Sequence, residues 1–285
     1  MLKIAIYFRV SFIFLLTVFY CTVGLADGKS CAANEQYLVG AGIYDITGPA
    51  AERGMMGYAQ MDQKTSGILQ RDWARAFIIK SPCNGKEVVF VNADLAMLFQ
   101  GVQQEVLRQL HTRFGNEYTA QNVVLSAIHQ HSGPGGYASH ALYNLTTLGF
   151  DRMNFANICR GIVESIVRAR VNMQPASISI AQGQLTNASV NRSPSAYLLD
   201  PASERQRYAH NRDTTMTLIK FVARNGHPLG LINWFPVHGT SLDNTNTLIS
   251  GDNKGYAAYL FEKDYHSTHG PKDFVAAFAN RCLLD

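Results

Sequence analysis

The sequence predicts an α/β fold, a mixed β-sheet flanked by helices. Three observations carry this. Apolar runs rich in β-branched residues recur along the chain. Between them, apolar residues fall three and four apart, the period of an amphipathic helix. No linker, repeat or low-complexity segment interrupts this alternation. The 285 residues, 47% hydrophobic and 16% charged, suit a globular protein with a sizeable core.

The stretch 87–95 (EVVFVNADL) reads as a buried strand. In 103–114, Val106, Leu107, Leu110 and Phe114 make a helix face. Residues 122–128 form a second buried strand. A second helix covers 154–171, with Phe155, Ile158, Ile162, Ile166 and Ala169 on one side. Strands follow at 176–181, 215–222 and 229–235, and Asn225-Gly226 between the last two signals a hairpin. A helix over 254–262 and a buried strand at 274–279 (FVAAFA) complete the pattern.

The N-terminus reads as a secretory signal peptide over residues 1–26. Lys3 and Arg9 precede an apolar run, and Gly24-Leu25-Ala26 offers the small residues of a cleavage site. The alternative, an uncleaved anchor, meets a run short of the roughly 20 residues that a span needs. Removing this segment leaves +2 of the formal +4 charge. No Lys/Arg-rich run suggests nucleic acid. Cys31, Cys83, Cys159 and Cys282 remain, with three pairings open. The sequons Asn144-Leu-Thr146, Asn187-Ala-Ser189 and Asn191-Arg-Ser193 agree with a secreted glycoprotein.

The chemistry gathers where strands end. Residues 126–136 read S-A-I-H-Q-H-S-G-P-G-G. On an extended backbone His129 and His131 share a face, so both rings point into one pocket. Neutral imidazole is a common zinc ligand. The S-G-P-G-G that follows consists of turn formers. His238, in N-W-F-P-V-H-G-T-S (233–241), also ends an apolar strand. The plain alternative is a set of satisfied polar histidines. His111, His140, His210, His227, His266 and His269 lack such a context. Arg192 in an irregular segment suits bidentate donation to an oxyanion or carbonyl. Asp94 is a candidate orienter of a metal-bound histidine, and Asp252 a helix cap.

Taken in order, several strings resemble the neutral (non-lysosomal) ceramidase family. They are A-G-I-Y-D-I-T-G-P (41–49), G-M-M-G-Y (54–58), V-V-L-S-A-I-H-Q-H-S-G-P-G-G-Y (123–137), N-R-S-P (191–194), N-W-F-P-V-H-G-T-S and L-I-S-G-D-N-K-G-Y-A (248–257). The resemblance spans about residues 38–279 and makes 27–285 the N-terminal portion of a catalytic domain. It implies zinc-dependent hydrolysis of the N-acyl bond of ceramide to sphingosine and a fatty acid, with the membrane surface as substrate source. His129 and His238 match zinc ligands. His131 matches a histidine that contacts substrate, and Arg192 an arginine near the substrate amide. A glutamate and a tyrosine would complete the zinc shell, and a serine in a G-D-V-S-P-N segment would join the site. The sequence departs from the pattern in two places. Gln130 stands where a threonine is usual, and Asn280-Arg-Cys-Leu-Leu-Asp285 stands where the serine segment is expected. The expectation is therefore a truncated chain whose site is completed elsewhere. The alternatives are an inactive secreted relative that binds lipid or a partner, and a zinc hydrolase of another N-acyl lipid.

Overall fold

The computed structural model describes residues 36–269 and 274–281. The signal-peptide reading of 1–26, Cys31 and Cys282 lie outside the described residues. Eight strands form one sheet: β1 (Tyr37–Asp45), β2 (Trp73–Lys80), β3 (Glu87–Ala93), β4 (Val123–Ala127), β5 (Gln174–Gln184), β6 (Thr215–Ala223), β7 (Pro228–Trp234) and β8 (Val275–Ala279). Their order across the sheet is β8-β7-β6-β5-β1-β2-β3-β4. The two outermost pairs, β8/β7 and β3/β4, are parallel and the others antiparallel. This is the mixed sheet expected. The Asn225-Gly226 hairpin is also present, with Gly226 at φ +85 and Gly226 N–H donating to the Ala223 carbonyl.

Three helices flank the sheet: α1 (Gln100–Phe114), α2 (Arg152–Val171) and α3 (Asp252–His269). The Asp151 carboxylate caps α2 by accepting from Met153 N (2.9 Å) and Asn154 N (3.1 Å), a contribution of about 1 kcal/mol. Val102, Val106 and Leu110 of α1 and Ile158, Ile162 and Ile166 of α2 pack on Ala74, Ala76, Ile78, Val89 and Val91. These six helix positions repeat every four residues, so each helix presents one apolar stripe to the sheet.

Two of the central strands, β1 and β2, carry no element reading in the sequence. In β1 the reason is Gly40 and Gly42, residues that weaken a strand pattern. Here they let α2 sit down on the sheet. A Cβ on Gly42 would lie 2.3 Å from the Ser165 carbonyl oxygen.

The other sheet face forms a second core from Val39, Ala41, Phe77, Phe221, Ile232, Val275 and Ala277. The sheet curls over this core until its ends touch. Asn92 of β3 donates to the Phe278 carbonyl of β8 (3.2 Å), and the Asn280 amide reaches the Ile128 carbonyl.

On that inner face sits Arg75, fully buried. Its Nη1 donates to both Asp94 oxygens (2.9 and 3.1 Å), and its Nε and Nη2 donate to Glu262 (2.8 and 3.2 Å). Burial alone would lower the guanidinium's pKa, but the two carboxylates outweigh it and hold the charge in place. Glu262 of α3 also accepts from Ala276 N of β8 (3.0 Å). One cation thus ties β2, the end of β3, α3 and β8 together.

Cys83 is disulfide-bonded, and Cys159 is a free buried thiol. Of the sequons, Asn144 is buried and bonded both ways to the Ala138 backbone, and Asn191 donates to the Asn211 carbonyl. Asn187 is exposed. Among the described residues, no helix is long and apolar enough to cross a membrane.

Glu262→Gln leaves Arg75 short of one countercharge. We expect it to lower unfolding free energy by roughly 3 kcal/mol, measured by denaturant titration.

Candidate metal centre

The H-Q-H segment does not owe its geometry to a strand. β4 ends at Ala127, and His129 has φ +63, a left-handed backbone rare outside glycine. The expected sharing of a face by alternation is replaced by a reversal held by neighbours. Ile128 N–H donates to the Ala93 carbonyl and His129 N–H to the Leu95 carbonyl. His131 N–H donates to the Gly239 carbonyl, where Gln130 bridges the second histidine loop. Gln130 is buried with its amide turned away from the rings, donating to the Asp94 carbonyl (3.3 Å) and accepting from Ser132 N–H.

The three rings converge. Nε2 of His131 lies 3.2 Å from Nε2 of His129 and 3.1 Å from Nε2 of His238. The ring centroids form a near-equilateral triangle with sides of 4.8, 4.6 and 4.8 Å. Zinc–nitrogen bonds of about 2.0–2.1 Å at a tetrahedral angle put ligand nitrogens about 3.3 Å apart. Two of the separations match that spacing, and the ligand atoms of all three rings lie within 4.8 Å of one another, so the group can hold a metal ion. His129 is also in the right tautomer. Its Nδ1 is 2.8 Å from the Ala96 carbonyl, which can only accept, so the proton sits on Nδ1 and Nε2 offers its lone pair.

Asp94, expected to orient a histidine, does not touch one with its carboxylate. Arg75 and the Trp73 amide (2.9 Å) claim both oxygens. The orienting group is the backbone two residues on, at Ala96. Asp94 acts earlier in the chain of contacts by fixing the 94–96 bend that supplies these carbonyls.

His131 is wedged from outside. The Tyr58 ring meets it edge-on at 4.7 Å, and Tyr58 Oη donates to the Leu242 carbonyl (2.6 Å). Gly57, at φ +132, packs flat on the imidazole, where a Cβ would lie 2.4 Å from its Cγ. Neither residue had a role in the sequence reading, although both stand in the quoted G-M-M-G-Y string.

His238 follows β7 and is held from α3. Asn253 donates to its carbonyl (2.7 Å), and the Asp252 carboxylate accepts from Ser241 N (3.1 Å) and Leu242 N (2.9 Å). Asp252 is itself the first residue of α3, at φ +49. Beyond capping Asn253 N–H, it pins the histidine loop to the helix start. Buried Lys254 supports the same loop by donating to the Phe235 carbonyl (2.6 Å).

A cleft of about 370 Å³ opens beside His238. Arg192 lines it, together with Arg212, Thr240, Ser241 and Asn253, and Val190, Pro236 and Val237 add apolar wall. The structure thus brings His129, His131 and His238 together and places Arg192 on the adjoining cleft.

Residues 37–285 match the family described as neutral/alkaline non-lysosomal ceramidase, N-terminal. The chain is 47% identical over 268 residues to neutral ceramidase 1 of Arabidopsis thaliana, covering 94% of this chain and 34% of that protein. It is 48% identical over 243 residues to the neutral ceramidase of Pseudomonas aeruginosa, covering 85% and 36%. The crystal structure of the neutral ceramidase from Pseudomonas aeruginosa superposes with a TM-score of 0.81 at 46% identity, over 88% of this chain and 39% of that one. The chain spans about a third of the length of the curated relatives it matches.

Burial pushes the Lys254 ammonium down from 10.5 to about 7. Between these values the unfolded chain binds more protons than the folded one, so stability rises with pH across that window. We expect Lys254→Met to abolish that rise, as read from urea unfolding at stepped pH.

Proposed function

The chain belongs to the neutral/alkaline non-lysosomal ceramidase family, and from that premise we propose that it forms the histidine side of a zinc amidohydrolase site cleaving the N-acyl bond of ceramide to sphingosine and a fatty acid. The observation that carries this is the convergence of three imidazole nitrogens within 4.8 Å of one another, a group able to hold one metal ion. An all-nitrogen donor set suits zinc.

Zinc, when bound, lowers the pKa of a water toward neutrality and polarises a carbonyl. The chain's own residues do the rest. His129 and His238 present nitrogen lone pairs, with the Ala96 carbonyl fixing the first ring. His131, buried beside them and braced by Tyr58 and Gly57, is the histidine that hydrogen-bonds the substrate. Arg192 donates to the amide oxygen as negative charge gathers there. In the net reaction water's oxygen bonds the acyl carbon, the C–N bond breaks, and water's two protons pass to the leaving nitrogen, giving a carboxylate and an ammonium. With residues 1–26 read as a signal peptide the protein is secreted, a reading the disulfide on Cys83 agrees with. The glutamate, tyrosine and serine implied by the resemblance match no position here.

A second reading is a family member that binds lipid without cutting it.

Zinc titration and ceramide turnover separate these readings. His129→Ala and His238→Ala should each weaken zinc binding by about a hundredfold or more. His131→Ala should keep zinc to within about tenfold and lose turnover. An equal zinc loss in His131→Ala would make it a third ligand. Tight zinc binding without turnover by the unaltered chain would favour the second reading.

A further inference from the structure

Between β4 and α2 the chain is folded inside out. Asn144 and Thr147 are buried there, while Leu142, Tyr143, Leu145, Leu148, Phe150 and Met153 are exposed, Leu142 at 76% and Met153 at 67%. This is not slack. The Asn144 side chain closes a two-way pair with the Ala138 backbone, its carbonyl accepts from the Thr147 hydroxyl (3.3 Å) and from Gly149 N–H (3.0 Å), and Thr147 packs on Gly54 and Gly135. The polar side chains thus anchor the segment, and the apolar ones are held outward. Scattered exposed leucines are ordinary on a protein surface. Six large apolar side chains within twelve residues, fixed outward by buried polar ones, are a patch that marks an interaction surface.

The segment is tied to the metal centre. The Phe99 ring packs on both Tyr143 (5.3 Å) and Tyr137 (5.2 Å), and Tyr137 Oη donates to the Met97 carbonyl, next to the residue that orients His129. The charge beside the patch is positive. Along α2, Met153, Asn157 and Arg160 stand at i, i+4 and i+7, so the apolar patch continues into arginine on one helix face. Arg71, Arg160 and Arg168 line a single cleft there with Asp45. The nearby carboxylates each hold an arginine already: Asp45 with Arg71, Asp151 with Arg53 and Glu164 with Arg113. Arg152, Arg160 and Arg168 add charge beyond those pairs.

We propose that the 142–153 segment and the adjoining arginines of α2 are a docking surface for an anionic lipid bilayer. Apolar side chains seated at the headgroup boundary and basic residues beside them are the two terms of interfacial binding. The purpose of the surface, delivery of a membrane lipid to the histidine site, rests on the ceramidase reading; its lipid binding does not.

The test is co-sedimentation of the chain with phosphatidylcholine vesicles, with and without phosphatidylserine. The unaltered chain should bind phosphatidylserine vesicles more tightly than phosphatidylcholine alone. The double variant Leu145→Asp/Leu148→Asp should partition about tenfold more weakly. Arg160→Glu should weaken binding by about fivefold or more, with the loss shrinking as salt rises. These side chains are exposed, so melting temperature and zinc content should match the unaltered chain. Turnover of detergent-dispersed ceramide, where the unaltered chain shows it, should be kept. Vesicle binding unchanged in both variants overturns the proposal. So does a chain that ignores vesicles, or one in which the leucine substitutions cost melting temperature, the result expected if this face is covered by more protein. Vesicle binding by a chain that cannot cut ceramide supports the surface while counting against the ceramidase reading.

Discussion

The site stands on the Arg75 guanidinium. A charge with no solvent contact is tolerable only when its hydrogen bonds are all answered, and removing one partner costs more than the pair contributes. Arg75 meets that condition with two carboxylates from opposite directions. Asp94 directly follows β3 and begins the bend whose carbonyls hold His129 and Gln130. Glu262 lies in α3, whose first turn holds the His238 loop. Both halves of the histidine cluster are therefore referenced to one buried cation, though neither touches it.

Most of the sheet could be read from sequence because its strands and helices obey the two simple periods. α2 and α1 begin two and three residues before their predicted starts; the Asp151 cap sets the start of α2, and no side chain caps α1. β1 stayed hidden because its glycines serve α2 and break the strand pattern. β2 stayed hidden because Arg75 sits mid-strand, where a charge argues for solvent. Its partners, Asp94 and Glu262, lie 19 and 187 residues away, and no local pattern announces such a pairing.

The histidines were legible for chemical reasons, and their arrangement was not. A strand-end H-x-H suggests a shared pocket by alternation, but the rings meet because His129 turns left-handed and because Gly57 leaves no space on the far side of His131. Those facts belong to contacts between distant segments. Asp94 shows the same limit from the other side. Its type and place suited an orienting carboxylate, yet the nearer cation took it, and a backbone carbonyl does the orienting.

The sequence separation within the triangle bears on the order of assembly. His131 and His238 are 107 residues apart, and His238 lies beyond both antiparallel strands that carry the chain back across the sheet. Contacts of such range form late, after local strands and helices. Early in folding the H-Q-H bend stands without His238. The triangle is complete once β7 has paired and α3 has docked on Arg75, so a metal affinity that needs both His129 and His238 would report that the fold has closed.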